Sequence, residues 1–284
     1  MKIGIVGIGL MGHAFAQRLI DRGYKINIYN RSVSKTEDLT KQGATLAVSV
    51  EDLVASSDTI LLMLSDADVI RKVLPGGDAL DGKTIMQMAT ISPDQSRSLQ
   101  GRVIDSGGSY VEAPVLGSIP EAKTGTLIIM VGASEADYLR VGPLLQELGS
   151  SIRHVGDVGL GSALKLAMNQ LIVSLTAAFS MSLSFALVNK VDVDDFMDTV
   201  RESALYAKTY DKKLDKYLSR EFGEANCSTK HLLKDIRLFM DDAHRLGIDI
   251  DMLKGVERIM SKAVNGGLSE EDYSSIYKVI SPDT

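Results

Sequence analysis

The glycine spacing near the N-terminus limits the fold more than any other stretch. Lys2 to Val6 closes into a short apolar run, the pattern of a buried strand. Gly7-Ile8-Gly9-Leu10-Met11-Gly12 follows at once. His13 to Asp21 then has helical apolar spacing and ends at Arg22-Gly23, and Tyr24 to Tyr29 reads as a second strand. Strand, glycine turn, helix and strand within about thirty residues is the context in which this spacing binds a dinucleotide. Gly7 permits the tight turn, Gly9 lets backbone approach a pyrophosphate, and Gly12 lets helix and strand pack closely. Leu10 and Met11 open the helix, whose N-terminus presents N–H groups and positive potential to phosphate. The competing reading is a glycine turn without a ligand.

The residue after the second strand selects the cofactor. An acid there holds the ribose 2′-hydroxyl of NAD. This chain has Asn30, then Arg31, Ser32 and, nearby, Lys35. No carboxylate repels a 2′-phosphate, and Arg31 offers a planar fork of donors for one. The expectation is NADP(H), with NAD(H) as the alternative; a solvated surface arginine competes for Arg31.

The alternation of strands and helices continues. Glu51 to Ser57 reads as a short helix, Thr59 to Leu64 as a buried strand, Ser65-Asp66 as a helix start, and Thr84 to Met88 as another strand. Ligands bind at strand ends in open α/β sheets, so Leu64 and Thr90 are candidate cofactor contacts. Ser92, before Pro93, suits a helix cap. Tyr110 to Glu112, Leu127 to Val131 and Ile152 to Val155 read as further strands. Gly156, Gly159 and Gly161 form a flexible entry into a helical remainder. Helices are expected over 193–203, 206–218, 229–246, 252–264 and 270–280. Ser228 caps the third of these, and Gly247 and Gly266 close the third and fourth. The fold class is an α/β Rossmann dinucleotide-binding domain joined by a long interdomain helix to an all-α C-terminal domain. The expected boundaries are 1–161 for NADP binding and 162–284 for substrate and oligomerisation.

From Ser162 to Phe222 there is neither glycine nor proline, which is compatible with a long helix. On a helix Gly161, Lys165 and Asn169 share one face. A lysine is a proton donor of adjustable pKa, an amide can orient a substrate oxygen, and Gly161 leaves room one turn earlier. The plainer alternative is that Lys165 snorkels at a helix start. Leu166 to Asn189 carries no charge and is long enough for a membrane span. Asn169, Gln170, Ser174, Thr176, Ser180, Ser182 and Ser184 make it too polar for a good one. The expectation is a helix buried between domains or subunits, and no membrane partner.

A net charge of −6 argues against nucleic acid, because phosphates demand a basic face. The single cysteine, Cys227, excludes an intramolecular disulfide and fits a reducing compartment. The N-terminus lacks a signal-peptide layout, so a cytoplasmic protein is expected. His13, His154, His231 and His244 show no metal-ligand grouping, and no metal is expected.

With these pieces in place the chain resembles the β-hydroxyacid dehydrogenase family, which includes 3-hydroxyisobutyrate dehydrogenases and the tartronate, glyoxylate and succinic semialdehyde reductases. The resemblance rests on Gly7-Ile-Gly9-Leu-Met-Gly12, on Glu112-Ala-Pro-Val-Leu116-Gly117-Ser118, on Gly161…Lys165…Asn169 and on Lys234-Asp235. It implies that Lys165 is catalytic, that Asn169 binds substrate beside it, and that Thr90 and Asn30-Arg31-Ser32 meet NADP. It also implies that Asp235, with Lys234, brings the C-terminal domain onto the site, and that dimers or tetramers form through the helical domain. Two positions depart from the family. Leu116 stands where a serine usually helps hold the substrate carboxylate, which leaves the backbone near Gly117 and the Ser118 hydroxyl. Cys227 stands where an aromatic is common. The implied reaction is reduction of a small aldehyde, with Lys165 as general acid and as base in reverse. Alternatives are an imine reductase, which commonly carries another proton donor, and a catalytically silent NADP-binding scaffold, which lacks the lysine.

Overall fold

The structure, a computed structural model, describes residues 1–281; residues 282–284 of the expected second domain lie outside the described residues. It divides into one unit from Met1 to Leu166 and a second from Ala167 onward.

In the first unit strands and helices alternate: β1 (Ile3–Val6), α1 (Leu10–Asp21), β2 (Ile26–Tyr29), α2 (Glu37–Lys41), β3 (Thr45–Leu46), α3 (Val50–Ala55), β4 (Thr59–Leu62), α4 (Ala67–Val73), β5 (Thr84–Gln87), α5 (Pro93–Asp105) and β6 (Ser109–Glu112). Then come β7 (Val115–Leu116), α6 (Ile119–Thr124), β8 (Leu127–Gly132), α7 (Glu135–Leu148) and β9 (Gly149–Gly156). The sheet order is β3-β2-β1-β4-β5-β6-β8-β7, with β9 on β8. The strands from β3 to β6 are parallel, and β8 is antiparallel to both β6 and β7. This is the Rossmann arrangement expected from the glycine turn.

The strands are apolar on both faces because both faces are covered. Ile3, Ile5, Ile28, Leu61, Met86 and Val111 pack with Phe15, Leu19 and Leu144. Val6, Ile60, Leu62, Ile85 and Tyr110 turn the other way, toward Leu53, Ile70, Leu99 and Val103. Register sets the place of function. Val6, Leu62, Gln87 and Glu112, the last residues of four parallel strands, stand side by side across the sheet. The loops leaving these ends carry the candidate residues.

The second unit is helical. Helix α8 (Leu160–Val188) begins before the division at Leu166 and runs on through the second unit. It is followed by α9 (Val193–Glu202), α10 (Lys208–Ser219), α11 (Thr229–Arg245), α12 (Asp251–Ala263) and α13 (Tyr277–Ile280). Val173 and Ala177 of α8 pack with Leu232, Ile236, Leu253 and Met260. Phe179 and Leu183 pack with Met197, Tyr210 and Tyr217, and the Phe179 and Tyr210 rings stack at 4.2 Å. Helix α8 is long and apolar enough to cross a membrane, yet Asn169, Thr176, Ser180 and Ser184 are buried along it. In the single chain Leu171, Met181, Phe185 and Val188 remain exposed, so the helix is not enclosed on every side.

The separate helix expected from 193 within the glycine- and proline-free run is present as α9: Lys190 takes a left-handed conformation, and Asp192 caps α9 through the N–H groups of Asp194 and Asp195. Several local expectations are corrected. The expected 270–280 helix is a single-turn segment at Tyr273–Ile276 followed by α13, because Asp272 caps a new start and Glu271 O accepts from Thr229 N instead. The left-handed residue after α12 is Gly267 rather than Gly266. The Ser228 hydroxyl bonds the His231 ring at 2.7 Å and does not cap α11 with its side chain. Ser92 does cap α5, in a reciprocal box with Gln95.

Candidate active site

The glycine turn lies at the C-terminal end of β1. Gly7 has φ +99°, and a Cβ there would collide with the Met63 carbonyl and lie 3.1 Å from Leu64 Cδ2. A Cβ on Gly12 would collide with the Gly7 carbonyl. Positions 7 and 12 are therefore glycine for the protein's own packing. Gly9 differs: it is exposed, and a Cβ there would meet nothing within 4 Å. The fold has room for a side chain here, and its absence leaves open access to the backbone. Gly9 is also the N-cap of α1, with no side-chain bond closing the helix end. The first-turn N–H groups of Leu10, Met11 and Gly12 have no intrahelical partner by helix geometry. Leu10 is exposed and Met11 partly buried. A helix N-terminus without a side-chain cap, reached over bare backbone, fits a pyrophosphate.

At the end of β2 the Asn30 side chain is tied on both atoms. Oδ1 accepts from Ile8 N at 3.0 Å and Nδ2 donates to Ser32 O at 2.9 Å. Asn30 thus locks the glycine turn to the next loop, a role beyond that of an absent carboxylate. Arg31, Ser32 and Lys35 are exposed around it. Leu64 packs on the glycine turn, and Thr90 is partly buried in the segment between β5 and the Ser92 cap.

The segment after β6 turns through β7, where Leu116 pairs with Ile128. Gly117 has φ +120°, and a Cβ there would press on Leu127 at 2.7 Å, so glycine is required. Ser118 precedes α6. Its N–H donates to Glu121 Oε2 at 2.9 Å and its hydroxyl donates to the same oxygen at 3.2 Å. The two Ser118 donors expected to meet a substrate carboxylate are thus turned onto a carboxylate of the chain itself.

The start of α8 is organised by a residue that the sequence reading quoted only as part of a motif. Glu112 is wholly buried. Its Oε1 accepts from Gly159 N at 2.7 Å, Gly161 N at 2.8 Å and Ser162 N at 3.3 Å. Its Oε2 accepts from the Ser162 hydroxyl at 2.7 Å and from the Ser96 hydroxyl. Ser96 also bonds Tyr110 Oη at 3.0 Å, and burial pushes the Tyr110 phenol far above its ordinary pKa. The entry to α8 is therefore a hydrogen-bonded seat, not the flexible stretch its glycines suggested. Gly161 is buried, and a Cβ there would lie 2.7 Å from the Met130 carbonyl and 3.1 Å from Glu112 Oε1. Its missing side chain makes room for the sheet, which corrects the expectation that it leaves space beside Lys165. A legible signal existed: an acid inside the apolar run Tyr110 to Val115 must find partners if buried.

Lys165 follows one turn after Gly161 and is partly buried; Asn169 is one turn further and buried. Asn169 Nδ2 donates to Asp235 Oδ2 at 2.7 Å. The Lys234 ammonium lies 2.9 Å from Asp235 Oδ1 in an ion pair. Asn169, Asp235 and Lys234 are thus brought together. Cys227 is partly buried and packs at the edge of the α8–α11–α12 core.

The family model of the NAD binding domain of 6-phosphogluconate dehydrogenase matches residues 2–156. The model for the NAD-binding region of NADP-dependent 3-hydroxyisobutyrate dehydrogenase matches residues 159–280. The chain is 28% identical over 285 residues to glyoxylate/succinic semialdehyde reductase 2, chloroplastic, of Arabidopsis thaliana, covering 99% of this chain and 79% of that one. It is 29% identical over 286 residues to 2-hydroxy-3-oxopropionate reductase of Escherichia coli strain K12, covering 99% and 97%. The crystal structure of a 3-hydroxyisobutyrate dehydrogenase from Salmonella typhimurium superposes with a TM-score of 0.86 at 22% identity, over 98% and 99% of the two chains. An imine reductase from Myxococcus stipitatus is less similar, with a TM-score of 0.67 at 21% identity over 97% and 98%. Both domain models match in order, on a Rossmann unit followed by helices, and the chain belongs to the β-hydroxyacid dehydrogenase family, as an NAD(P)-binding oxidoreductase of CH–OH groups.

Proposed function

We propose that this protein is an NADP-preferring reductase that interconverts a small aldehyde, of the semialdehyde or glyoxylate type, and the corresponding β-hydroxy acid or alcohol. Residues 1–161 would bind the cofactor and 162–284 the substrate. The observation that carries the proposal is the pairing of Lys165 and Asn169 on one face of α8, with the Asn169 amide held by Asp235. An amide fixed by its NH₂ end presents its oxygen in one direction, which suits it to align a hydroxyl. Bound NADPH supplies the hydride. Lys165 then gives its proton to the carbonyl oxygen as that oxygen becomes an alkoxide, and its charge stabilises the developing negative charge. In the oxidative direction the neutral amine removes the hydroxyl proton. The proposal is tested by following NADPH consumption with glyoxylate, succinic semialdehyde, methylmalonate semialdehyde and cyclic imines. An aldehyde should turn over, and Lys165→Ala should lower that rate by about 10²–10⁴ with NADPH affinity unchanged. Turnover of cyclic imines alone, or a Lys165→Ala rate within a few-fold of wild type, would point to another chemistry.

NADP preference is supported by the absence of an acid after β2 and by the exposed donors of Arg31, Ser32 and Lys35. A hydrogen bond to a charged group contributes about 1.5–3 kcal/mol. Arg31→Ala combined with Asn30→Asp should therefore shift the ratio of kcat/KM values from NADPH toward NADH by roughly tenfold or more. An unchanged ratio refutes the assignment of Asn30 and Arg31.

The substrate end turns on Leu116, Gly117 and Ser118. Leu116 donates no hydrogen bond, and Ser118 is engaged by Glu121. A substrate carboxylate here would lack a partner and meet a like charge. Leu116→Ser should raise kcat/KM for glyoxylate or succinic semialdehyde by about tenfold, the worth of one charged hydrogen bond. No change with any acidic substrate would remove this loop from carboxylate recognition and favour a neutral aldehyde.

The exposed apolar residues Leu171, Met181, Phe185 and Val188 support a homodimer or homotetramer formed through the helical unit. Light scattering after size exclusion should give twice or four times the mass of the chain, and Phe185→Asp should lower it; a monomer at micromolar concentration contradicts the proposal.

A further inference from the structure

The groups proposed to act on the substrate hang from α8, and the start of α8 is fixed by one side chain. Glu112 closes β6, and its carboxylate takes three consecutive-region N–H groups, from Gly159, Gly161 and Ser162, on one oxygen. The Ser162 and Ser96 hydroxyls hold the other oxygen. Every one of these residues is in the first unit. A buried negative charge at a helix N-terminus meets both the unsatisfied N–H groups and the positive end of the helix dipole. The seat is closely shaped. Gly132 faces the carboxylate so tightly that a Cβ there would collide with Oε1, and a Cβ on Gly161 would crowd the Met130 carbonyl and the same oxygen. Neither the height nor the rotation of the first turn can change without breaking these bonds. Lys165 is four residues after Gly161, on the same face, about 6 Å further along the axis.

We infer that Glu112 is a positioning residue for the reaction: it acts through the backbone of α8 to set where the Lys165 ammonium is delivered, and does not itself touch substrate or cofactor. This rests on the proposed role of Lys165. The alternative is that Glu112 serves folding alone. The two differ in what a small displacement does. Shortening the side chain by one methylene withdraws the carboxylate by about 1.5 Å, and a misplacement of about 1 Å at a catalytic group can cost about 10²-fold in rate. Glutamine keeps Oε1 for the three N–H groups, and the two hydroxyls opposite can rotate to accept from its NH₂.

The experiment is a double-mutant cycle on the full-length protein, with kcat and KM measured on the best aldehyde of the screen. NADPH affinity is read from cofactor fluorescence, and folding from the circular-dichroism melt. Glu112→Asp should lower kcat by about 10–100-fold while KM and NADPH affinity move less than about threefold. Glu112→Gln should recover most of that loss. In the Lys165→Ala background Glu112→Asp should cost nothing further, because the group it positions is gone. The inference is overturned if folded Glu112→Asp keeps kcat within threefold of wild type. It is equally overturned if Glu112→Asp lowers the residual Lys165→Ala rate by the same factor as it lowers the wild-type rate. Should Glu112→Asp fail to fold, Ser162→Ala removes one hydroxyl and leaves the backbone bonds. It should lower kcat several-fold in the wild-type background and not in Lys165→Ala, and equal effects in both backgrounds count against the inference. If Lys165→Ala keeps near-normal turnover, the acid–base reading itself fails and takes this one with it. An inactive Lys165→Ala with additive Glu112 effects sinks the positioning role alone.

Discussion

A single buried carboxylate holds the first turn of α8, and much of the chain around it follows from that fact. Burying the charge of Glu112 would cost several kcal/mol were it unpaired. It is tolerated because the N-terminus of a helix is brought to it, so that each group answers the other's need for a partner. The consequences reach residues far apart in sequence. Gly132 must lack a side chain to sit opposite the carboxylate, Gly161 must lack one to let the helix approach β8, and Gly159 turns with φ +104° to aim its N–H. Ser96 and Tyr110 extend the network into the sheet, where Tyr110 is held neutral by burial. Removing the carboxylate would strand N–H groups that each cost about 1–3 kcal/mol when left unsatisfied.

The glycine turn after β1 shows a different distribution of constraint. Gly7 and Gly12 are required by contacts within the protein, since a Cβ at either would strike backbone. Gly9 is not; the space beside it is open. A position where the fold tolerates a side chain but the sequence has none fits a demand set by something that binds there. Asn30 joins this turn to the loop after β2 by bonding Ile8 N and Ser32 O. One side chain therefore ties the glycine turn to the segment that carries Arg31 and Ser32.

How much of this was legible depended on range. Short apolar stretches mark β1, β2, β4, β5 and β6, because a strand covered on both faces is apolar, whereas β3 is two residues, neither of them buried, and carries no such signal. The glycine turn found the Rossmann unit. Helix α7 carried no assignment, since Gly142 and Pro143 interrupt a segment that is helical in the structure; Pro143 removes an N–H that tertiary packing of Val141, Leu144 and Leu145 outweighs. The segment 270–280 had helical spacing, but its first residues pair with the start of α11. Gly161 was read as room for substrate because sequence shows spacing and not what stands opposite. Glu112 was quoted in a motif and given no task, because its partners lie at positions 96 and 159–162, known to be near only once β6 and α8 are placed.

The same difference in range explains why membership in a family tells more of the reaction than of the substrate. The parts proposed to serve the reaction sit on regular elements: a helix N-terminus at the end of β1, and a lysine and an amide one turn apart on α8. The substrate end hangs on the short run from Leu116 to Glu121, where side chains decide. Leu116 supplies no donor, and Glu121 takes both donors of Ser118. An acid substrate would have to displace Glu121 from Ser118 before gaining anything from it, and would bring a second negative charge to do so. A carboxylate is therefore a poor occupant of this run as it stands, because the donors of Ser118 and the charge of Glu121 are already matched to each other.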